Sequence, residues 1–240
     1  MNSRILAVLL CGLTTAVSAK DVEITPTCVG AVCQQAFDSV AEDLVAVIDY
    51  KALGPAEATG LTGFGIGAVM SYVPVDVEAD WQQVTGQDFS GLGLVGLQVT
   101  KGLPLDLDIG AFYTTVPGTD VDVYGAEVRY AFLPGSTTMP ALSLRGSYVT
   151  VAGVDSFDLE SKALELAFSK GFGPITPYVG VGYVWGEAEA DPSTGLRKAE
   201  VEDTKATIGV RLSLGLFELT PEVGQVGDNV TYALRLGFSV

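Results

Sequence analysis

Apolar and polar residues alternate without a break along the last eleven residues of the chain, from Val230 to Val240. One side of this segment carries large apolar side chains, and the other carries Thr, Ala, Arg, Gly and Ser. Because successive side chains of a strand point to opposite faces, the pattern predicts a β-strand with one apolar and one polar face. The same period of two residues begins near Gly60 and continues to the C-terminus.

Ten segments of this kind follow one another, and each is bounded by Gly, Pro, Asp or Asn, residues that favour turns. We predict strands over residues 60–74, 91–101, 105–116, 121–133, 141–153, 157–170, 176–187, 203–214, 216–225 and 230–240. The connections differ in length. Those at 75–90 and 188–202 are long and acidic, while the second, fourth, sixth and eighth connections are short turns.

One segment before the strands has a helical period instead. Over residues 34–52, apolar side chains recur with the i, i+3, i+4 spacing of one helix face. The opposite face is acidic, with Asp38, Glu42, Asp43 and Asp49. Gly54 and Pro55 end the pattern, as they end many helices. We therefore predict an amphipathic helix directly before the first strand.

Sorting the strands by parity separates an apolar face from a face of charged residues and glycines. We expect the charged face to line an interior, with Asp106, Asp108, Glu127, Arg129, Arg145, Glu165, Lys205, Arg211, Glu218, Glu222 and Arg235. Alternation alone also fits a lipocalin-like barrel whose apolar face points inward. The glycines favour an inward charged face. A Gly inside a strand lowers stability by about 0.5–1 kcal/mol relative to Ala, and it is useful where a bulky group approaches the barrel wall from inside.

The N-terminus has the features of a secretory leader. Arg4 precedes a short apolar run, and Val17-Ser18-Ala19 forms a small-residue cleavage site. We expect cleavage after Ala19, so that residues 1–19 are a signal peptide. The apolar run is too short to span a bilayer.

The leader, the even number of strands, the uneven connections and the aromatic C-terminal strand together resemble bacterial outer-membrane β-barrels. The resemblance implies an all-β, transmembrane, antiparallel up-and-down barrel of about ten strands over 56–240. It also implies outer-membrane lipid, lipopolysaccharide and the barrel-assembly machinery as partners. Residues 20–55 are then a periplasmic lead that contains the helix.

Composition narrows the chemistry. The chain contains no histidine, which excludes His-dependent hydrolysis and most zinc catalysis. We expect no enzyme activity, no cofactor and no metal. The formal net charge is −16, and losing Arg4 with the leader makes the mature chain one unit more negative, which disfavours nucleic acid. Cys28 and Cys33 remain, and an exported chain favours a disulfide between them over a metal site.

We expect a structural or narrow-pore outer-membrane protein whose helix plugs or caps the periplasmic mouth. The apolar face of the helix has two other destinations, a periplasmic partner and the membrane interface. Two other functions stay open. One is a surface-binding module that acts through the 75–90 and 188–202 connections, whose carboxylates could also hold divalent cations. The other is a soluble periplasmic ligand-binding barrel. Pore size, ligand and oligomeric state are not determined by the sequence.

Overall fold

The computed structural model describes residues 23–75, 77–136, 138–154 and 156–239. Two helices and ten strands follow one another in this order: α1 (Gly30–Ile48), β1 (Phe64–Pro74), α2 (Glu78–Thr85), β2 (Gly91–Gly102), β3 (Leu107–Thr115), β4 (Asp122–Pro134), β5 (Ala141–Ala152), β6 (Phe157–Ser169), β7 (Ile175–Ala190), β8 (Ala199–Leu214), β9 (Phe217–Val226) and β10 (Asn229–Ser239). The expected signal peptide lies outside the described residues.

The ten strands form one closed antiparallel barrel in which each strand pairs with its neighbours in sequence. β1 and β10 close the barrel, with Gly65 opposite Ser239 and Tyr72 opposite Tyr232. Closure leaves no unpaired sheet edge. The prediction of ten up-and-down strands is confirmed, and the bounds of every strand lie within four residues of the expected ones.

The apolar face points outward and the charged face points inward. Ile66, Val128 and Val181 are 39%, 55% and 59% exposed, whereas Arg129 and Arg145 are 6% and 2% exposed. A soluble lipocalin-like barrel has the reverse arrangement. Two rings of aromatic residues border the apolar surface. One contains Tyr72, Tyr113, Tyr124, Tyr148, Trp185 and Tyr232, and the other contains Phe64, Phe168 and Phe217.

The two ends of the barrel differ. The near end holds the start of β1, the end of β10 and the four short turns at 103–106, 135–140, 170–174 and 215–216. The far end holds the five other connections, at 75–90, 116–121, 153–156, 191–198 and 227–228. Among the described residues, no helix is both long and apolar enough to cross a membrane.

The helix before the barrel is confirmed, but its position differs from the expectation. It runs from Gly30 to Ile48, four residues earlier than predicted at each end, and it lies inside the lumen in the half next to the far end. It therefore does not cap the mouth beside the start of β1, and residues 24–59 fold as part of the barrel. The amino group of Lys51 donates to the carbonyls of Ala46 and Val47, which closes the helix before Gly54.

Two features of the far end were not predicted. The 75–90 connection contains the short helix α2, whose Trp81, Val84 and Thr85 are buried and whose end is capped by Gly86 in the left-handed conformation. β7 ends three residues later and β8 begins four residues earlier than predicted, so the expected 188–202 loop shrinks to 191–198. In these extensions the outward residues are glutamates and most inward residues are small: Ala188, Ala190 and Ala199. The alternation of large apolar and polar side chains that marks the other strands is therefore missing from the sequence here.

The wall is interrupted between β8 and β9. Gly209 pairs with Glu222 and Leu212 with Leu219, but the two rows between them are missing. Thr220 and Pro221 do pair with β10 on their other side. Proline has no N–H to donate to a ladder, so Pro221 accounts for the gap.

Replacing Pro221 with Val should restore this part of the ladder and raise the free energy of unfolding by about 1 kcal/mol, the net value of a typical hydrogen bond. The measurement is a urea titration of the folded barrel in detergent micelles. Ala206→Val is the control, since it enlarges an outward side chain where β8 and β9 are fully paired. An unchanged midpoint for Pro221→Val would show that the missing rows do not weaken the wall.

Candidate functional site

The lumen and the chain segment that fills it form the candidate site. Helix α1 is buried all round in its last turns, from Asp43 to Ile48, whereas Ala31, Gln35, Asp38 and Glu42 form an exposed stripe along its first turns. Its partners are inward apolar side chains near the far end. They are Val73, Leu92, Leu94, Val123, Val149, Phe157, Leu159, Val184, Val201 and Val226. The lumen thus supplies the apolar surface that the helix requires.

The segment descends through the lumen beside β8. The side chain of Gln34 accepts a hydrogen bond from the N–H of Arg197 (2.8 Å) at the far end. The Nζ of Lys205 lies 2.7 Å from the Oδ2 of Asp49, half-way down. Nearer the other mouth, Glu57 forms an ion pair with Arg211 (2.5 Å). The chain therefore crosses the barrel from end to end, first as a helix and then as an extended strap, residues 49–59.

Buried ion pairs join the barrel walls at the level where the helix ends. Arg145 on β5 reaches Glu127 on β4 (Nε to Oε2, 2.6 Å) and Glu165 on β6 (Nη1 to Oε1, 2.5 Å). Lys205 on β8 lies 3.5 Å from the second oxygen of Glu165 and also donates to the carbonyl of Tyr50 (2.6 Å). These side chains are almost wholly buried, so the network links four strands to the strap.

The strap is fixed by hydrogen bonds from several sides. Glu222 accepts from the N–H of Leu53 (3.0 Å) and from the hydroxyl of Tyr178 (2.8 Å). The N–H of Ala56 donates to the hydroxyl of Ser169 (3.1 Å). Because the groups are buried, each of these bonds removes an otherwise costly unpaired polar group from the interior.

Two ion-pair groups fill the near mouth. Arg129 binds Asp108 (2.6 Å) and donates to the carbonyl of Pro55 (2.8 Å). Glu218 lies 3.7 Å from Arg211 and 3.2 Å from Arg235. The strap is therefore held at this mouth by charge-assisted contacts, which are stronger than neutral hydrogen bonds.

The structure brings together ten of the eleven charged residues that the sequence analysis assigned to the interior. Asp106 is the exception, because it lies exposed in the turn before β3 with φ 56°. Interior residues that the sequence analysis did not identify are Asp49, Tyr50, Gln98 and Tyr178. Asp49 forms its ion pair with Lys205. The alternation of faces along β2 and β7 places Gln98 and Tyr178 on the inward face. This alternation is the sequence feature that could have identified them as interior residues.

A lid covers the helix at the far end. The indole N–H of Trp81 in α2 donates to Asp43 (2.7 Å), and the ring packs at a tilt of 55° against Phe89 (4.7 Å between centroids). The disulfide between Cys28 and Cys33 is present, as predicted, at the start of the helix. Thr27 donates its N–H to the carbonyl of Gln83 (2.9 Å), which ties the lead to the lid.

An acidic wall stands on the outer side of β6, β7 and β8 at the far end. It consists of Asp158, Glu160, Glu187, Glu189, Glu200 and Glu202. Several of these carboxylates are directly opposite one another, such as Glu187 and Glu200, an arrangement that destabilises a sheet. Lys198 pairs with Glu187, and this hydrogen bond raises the pKa of the lysine. In the 191–198 loop, hydrogen bonds from Ser193 lower the pKa of Asp191.

No group of three or more His, Cys, Asp or Glu side chains within the described ranges is arranged to hold a metal ion. The buried carboxylates of the lumen are each engaged with a cation or a hydrogen-bond donor, as described above. This arrangement holds walls and strap together, and it gives the lumen the character of a packed core. A cavity of about 20 Å³ lies beside Asp49, Lys51 and Gln98.

No protein-family model matches the sequence, and no curated protein matches it. Solved structures with similar folds include the N-terminal β-barrel domain of Pseudomonas aeruginosa OprF, at 14% identity and a TM-score of 0.36, over 72% of this chain and 99% of that one. The KdgM porin is 8% identical with a TM-score of 0.37, over 72% and 98%. The outer-membrane protease OmpT from Escherichia coli is 9% identical with a TM-score of 0.41, over 74% and 95%. These values are too low to transfer a site or an activity to this chain.

Proposed function

We propose that this protein is a non-enzymatic, integral barrel of the bacterial outer membrane that its own N-terminal segment keeps closed. Its function is structural, and it does not conduct in this state. The observation that carries the proposal is the combination of an apolar outer surface with a lumen filled by α1 and the strap. The leader is cleaved after Ala19, and the barrel-assembly machinery inserts the protein.

The dimensions of the apolar surface support a location in lipid. Ten residue steps separate Ile175 from Trp185 on β7. At about 3.3 Å per residue and a tilt of about 40°, they rise about 25 Å, the height of the apolar band of outer-membrane barrels. An apolar surface of this extent exposed to water would promote association. Lipid and lipopolysaccharide are therefore the proposed surroundings.

The lumen supports a closed barrel. A barrel of ten strands is only a little wider than one whose interior is filled by side chains. Here the far half is occupied by α1 and the near half by the strap and its ion pairs. Conduction requires that this segment moves.

The uneven ends support an orientation. Outer-membrane barrels have short turns on the periplasmic side and longer connections outside. No turn of the near end exceeds six residues, whereas the far end holds the two longest connections, 75–90 with α2 and the 191–198 loop. We place the near end in the periplasm and the far end at the cell surface.

A second candidate function is binding at the cell surface. The acidic wall on β6, β7 and β8 favours it, because opposed carboxylates lower stability without a partner of opposite charge. The 75–90 connection contributes less than the sequence suggested, because α2 packs onto the helix as a lid. A cationic partner fits such a surface.

Fractionation and conductance test the main proposal. We expect the protein in the detergent-extracted outer membrane, with heat-modifiable migration on gels. In planar bilayers we expect no steady conductance from the intact chain and open channels from a variant that lacks residues 24–48. A soluble periplasmic protein contradicts the location. Steady conductance of the intact chain contradicts the closed state.

A further inference from the structure

The direction of the N-terminal segment determines at which end of the barrel the chain emerges from the lumen. β1 starts at the near end, and the segment before it leads back through the lumen to the far end. There, Thr27 is bound to Gln83, and the N–H of Ile24 donates to the hydroxyl of Ser156 (3.1 Å). Both partners lie in far-end connections. The described chain therefore leaves the barrel at the end opposite to the start of β1.

We propose that the barrel displays its own N-terminus on the outer face of the membrane, while the end of β10 faces the periplasm. This inference rests on the proposed function, which supplies the membrane and the orientation. It adds that a passenger attached before Glu23 is carried to the cell surface by the folding of the barrel.

Chain length excludes a return to the periplasm. Cleavage after Ala19 leaves three residues before Glu23, and three extended residues span about 10 Å. The apolar band that they would have to cross is about 25 Å tall. A return through the lumen is blocked too, because α1 packs against seven of the ten strands in the far half, and the strap with its ion pairs occupies the near half.

The contacts of the segment also make the threading stable. At the far end, Gln34 exchanges two hydrogen bonds with the backbone of Arg197, and Asp43 accepts from Trp81. At the near end, the strap is bound by Arg129 and Arg211. Withdrawal in either direction breaks one of these sets together with the burial of the helix. The segment therefore has to enter the lumen before β1 and β10 close the barrel.

Thiol labelling of intact cells tests the topology. The variants are Glu23→Cys in the lead, Gln82→Cys in α2 and Thr138→Cys in a near-end turn, all at exposed positions. A membrane-impermeant maleimide is applied before and after disruption of the outer membrane, and peptide masses locate the label, because Cys28 and Cys33 are also present. Heat-modifiable migration shows that each variant has folded.

We expect the thiols at positions 23 and 82 to react in intact cells and the thiol at 138 only after disruption. Reaction of position 23 together with 138, and not with 82, overturns the threading. Protection of both 23 and 82 while 138 reacts overturns the display at the cell surface and leaves the membrane barrel standing. If the protein is recovered in a periplasmic extract and its thiols at 82 and 138 react equally, the protein is not a membrane barrel, and the proposed function is wrong.

An epitope inserted directly after Ala19 provides a second readout that needs no added thiol. We expect an antibody to bind it on intact cells. The same epitope inserted in the 135–140 turn is the matched control and should be bound only after the outer membrane is disrupted. Binding in the reverse order overturns the proposal.

Discussion

Replacing Arg145 with Leu lowers the free energy of unfolding by about 3–5 kcal/mol, the range found when one partner of a buried ion pair is removed. The guanidinium is 2% exposed and joins Glu127 and Glu165, so its loss leaves two buried carboxylates without this cation. A urea titration in micelles measures the change. Lys162→Met is the control, because its ion pair with Glu160 is solvent-exposed and such pairs contribute at most about 1 kcal/mol.

The cause of the Arg145 effect can be separated from a loss of packing. Adding Glu127→Gln and Glu165→Gln to Arg145→Leu removes the two carboxylate charges that faced the arginine, of which only that of Glu165 has a second cation, Lys205, nearby, and it nearly preserves volume. We expect this triple variant to recover a large part of the lost stability. If it is no more stable than Arg145→Leu alone, the arginine acts through packing.

Replacing Gly186 with Val displaces the helix and opens the far half of the lumen. Gly186 faces α1, and a Cβ at this position would overlap the methyl groups of Val45. Overpacking of this kind typically costs about 1–3 kcal/mol. We expect channel openings in planar bilayers that the unmodified protein lacks, together with a lower midpoint in urea. Gly146→Val is the matched control, since a Cβ there meets no atom within 4 Å.

Both possible results of the Gly186 experiment are informative about the plug. Openings in Gly186→Val but not in Gly146→Val link conduction to the position of the helix. A silent but destabilised Gly186→Val barrel means that the strap and its ion pairs keep the lumen closed by themselves. The second result would contradict a role for the helix as the seal.

The closed state combines two kinds of interaction that respond differently to mutation. The helix is held mainly by apolar contacts in the far half, and these are non-directional and proportional to buried area. The strap is held by directional ion pairs and hydrogen bonds in the near half. Displacing the helix thus breaks no buried ion pair in the part of the segment that precedes Asp49. Removing a charged side chain of the Arg145 network, in contrast, disturbs the barrel walls as well as the strap.

The sequence alone gave reliable information wherever local alternation carried it. The two-residue period located ten strands, and the sequence parity assigned Arg129, Arg145 and Glu165 to the polar face. The same method failed at Asp106, because a turn has no fixed parity and the residue lies just outside β3. It also took the outward glutamates of β7 and β8 for a loop. The strand extensions beyond the apolar band are solvated outside, and most of their inward residues are small: Ala188, Ala190 and Ala199.

The sequence by itself determined which residues of each strand share a face, because the two-residue period of side chains is a property of the strand backbone. Which face is outside also followed from it, through the glycines and charges that a solvated surface does not require. The position of the amphipathic helix was decided only by the tertiary structure. The burial of its apolar face depends on Val73, Val184 and Val201, side chains that are distant in sequence and meet only when β1 and β10 close the barrel.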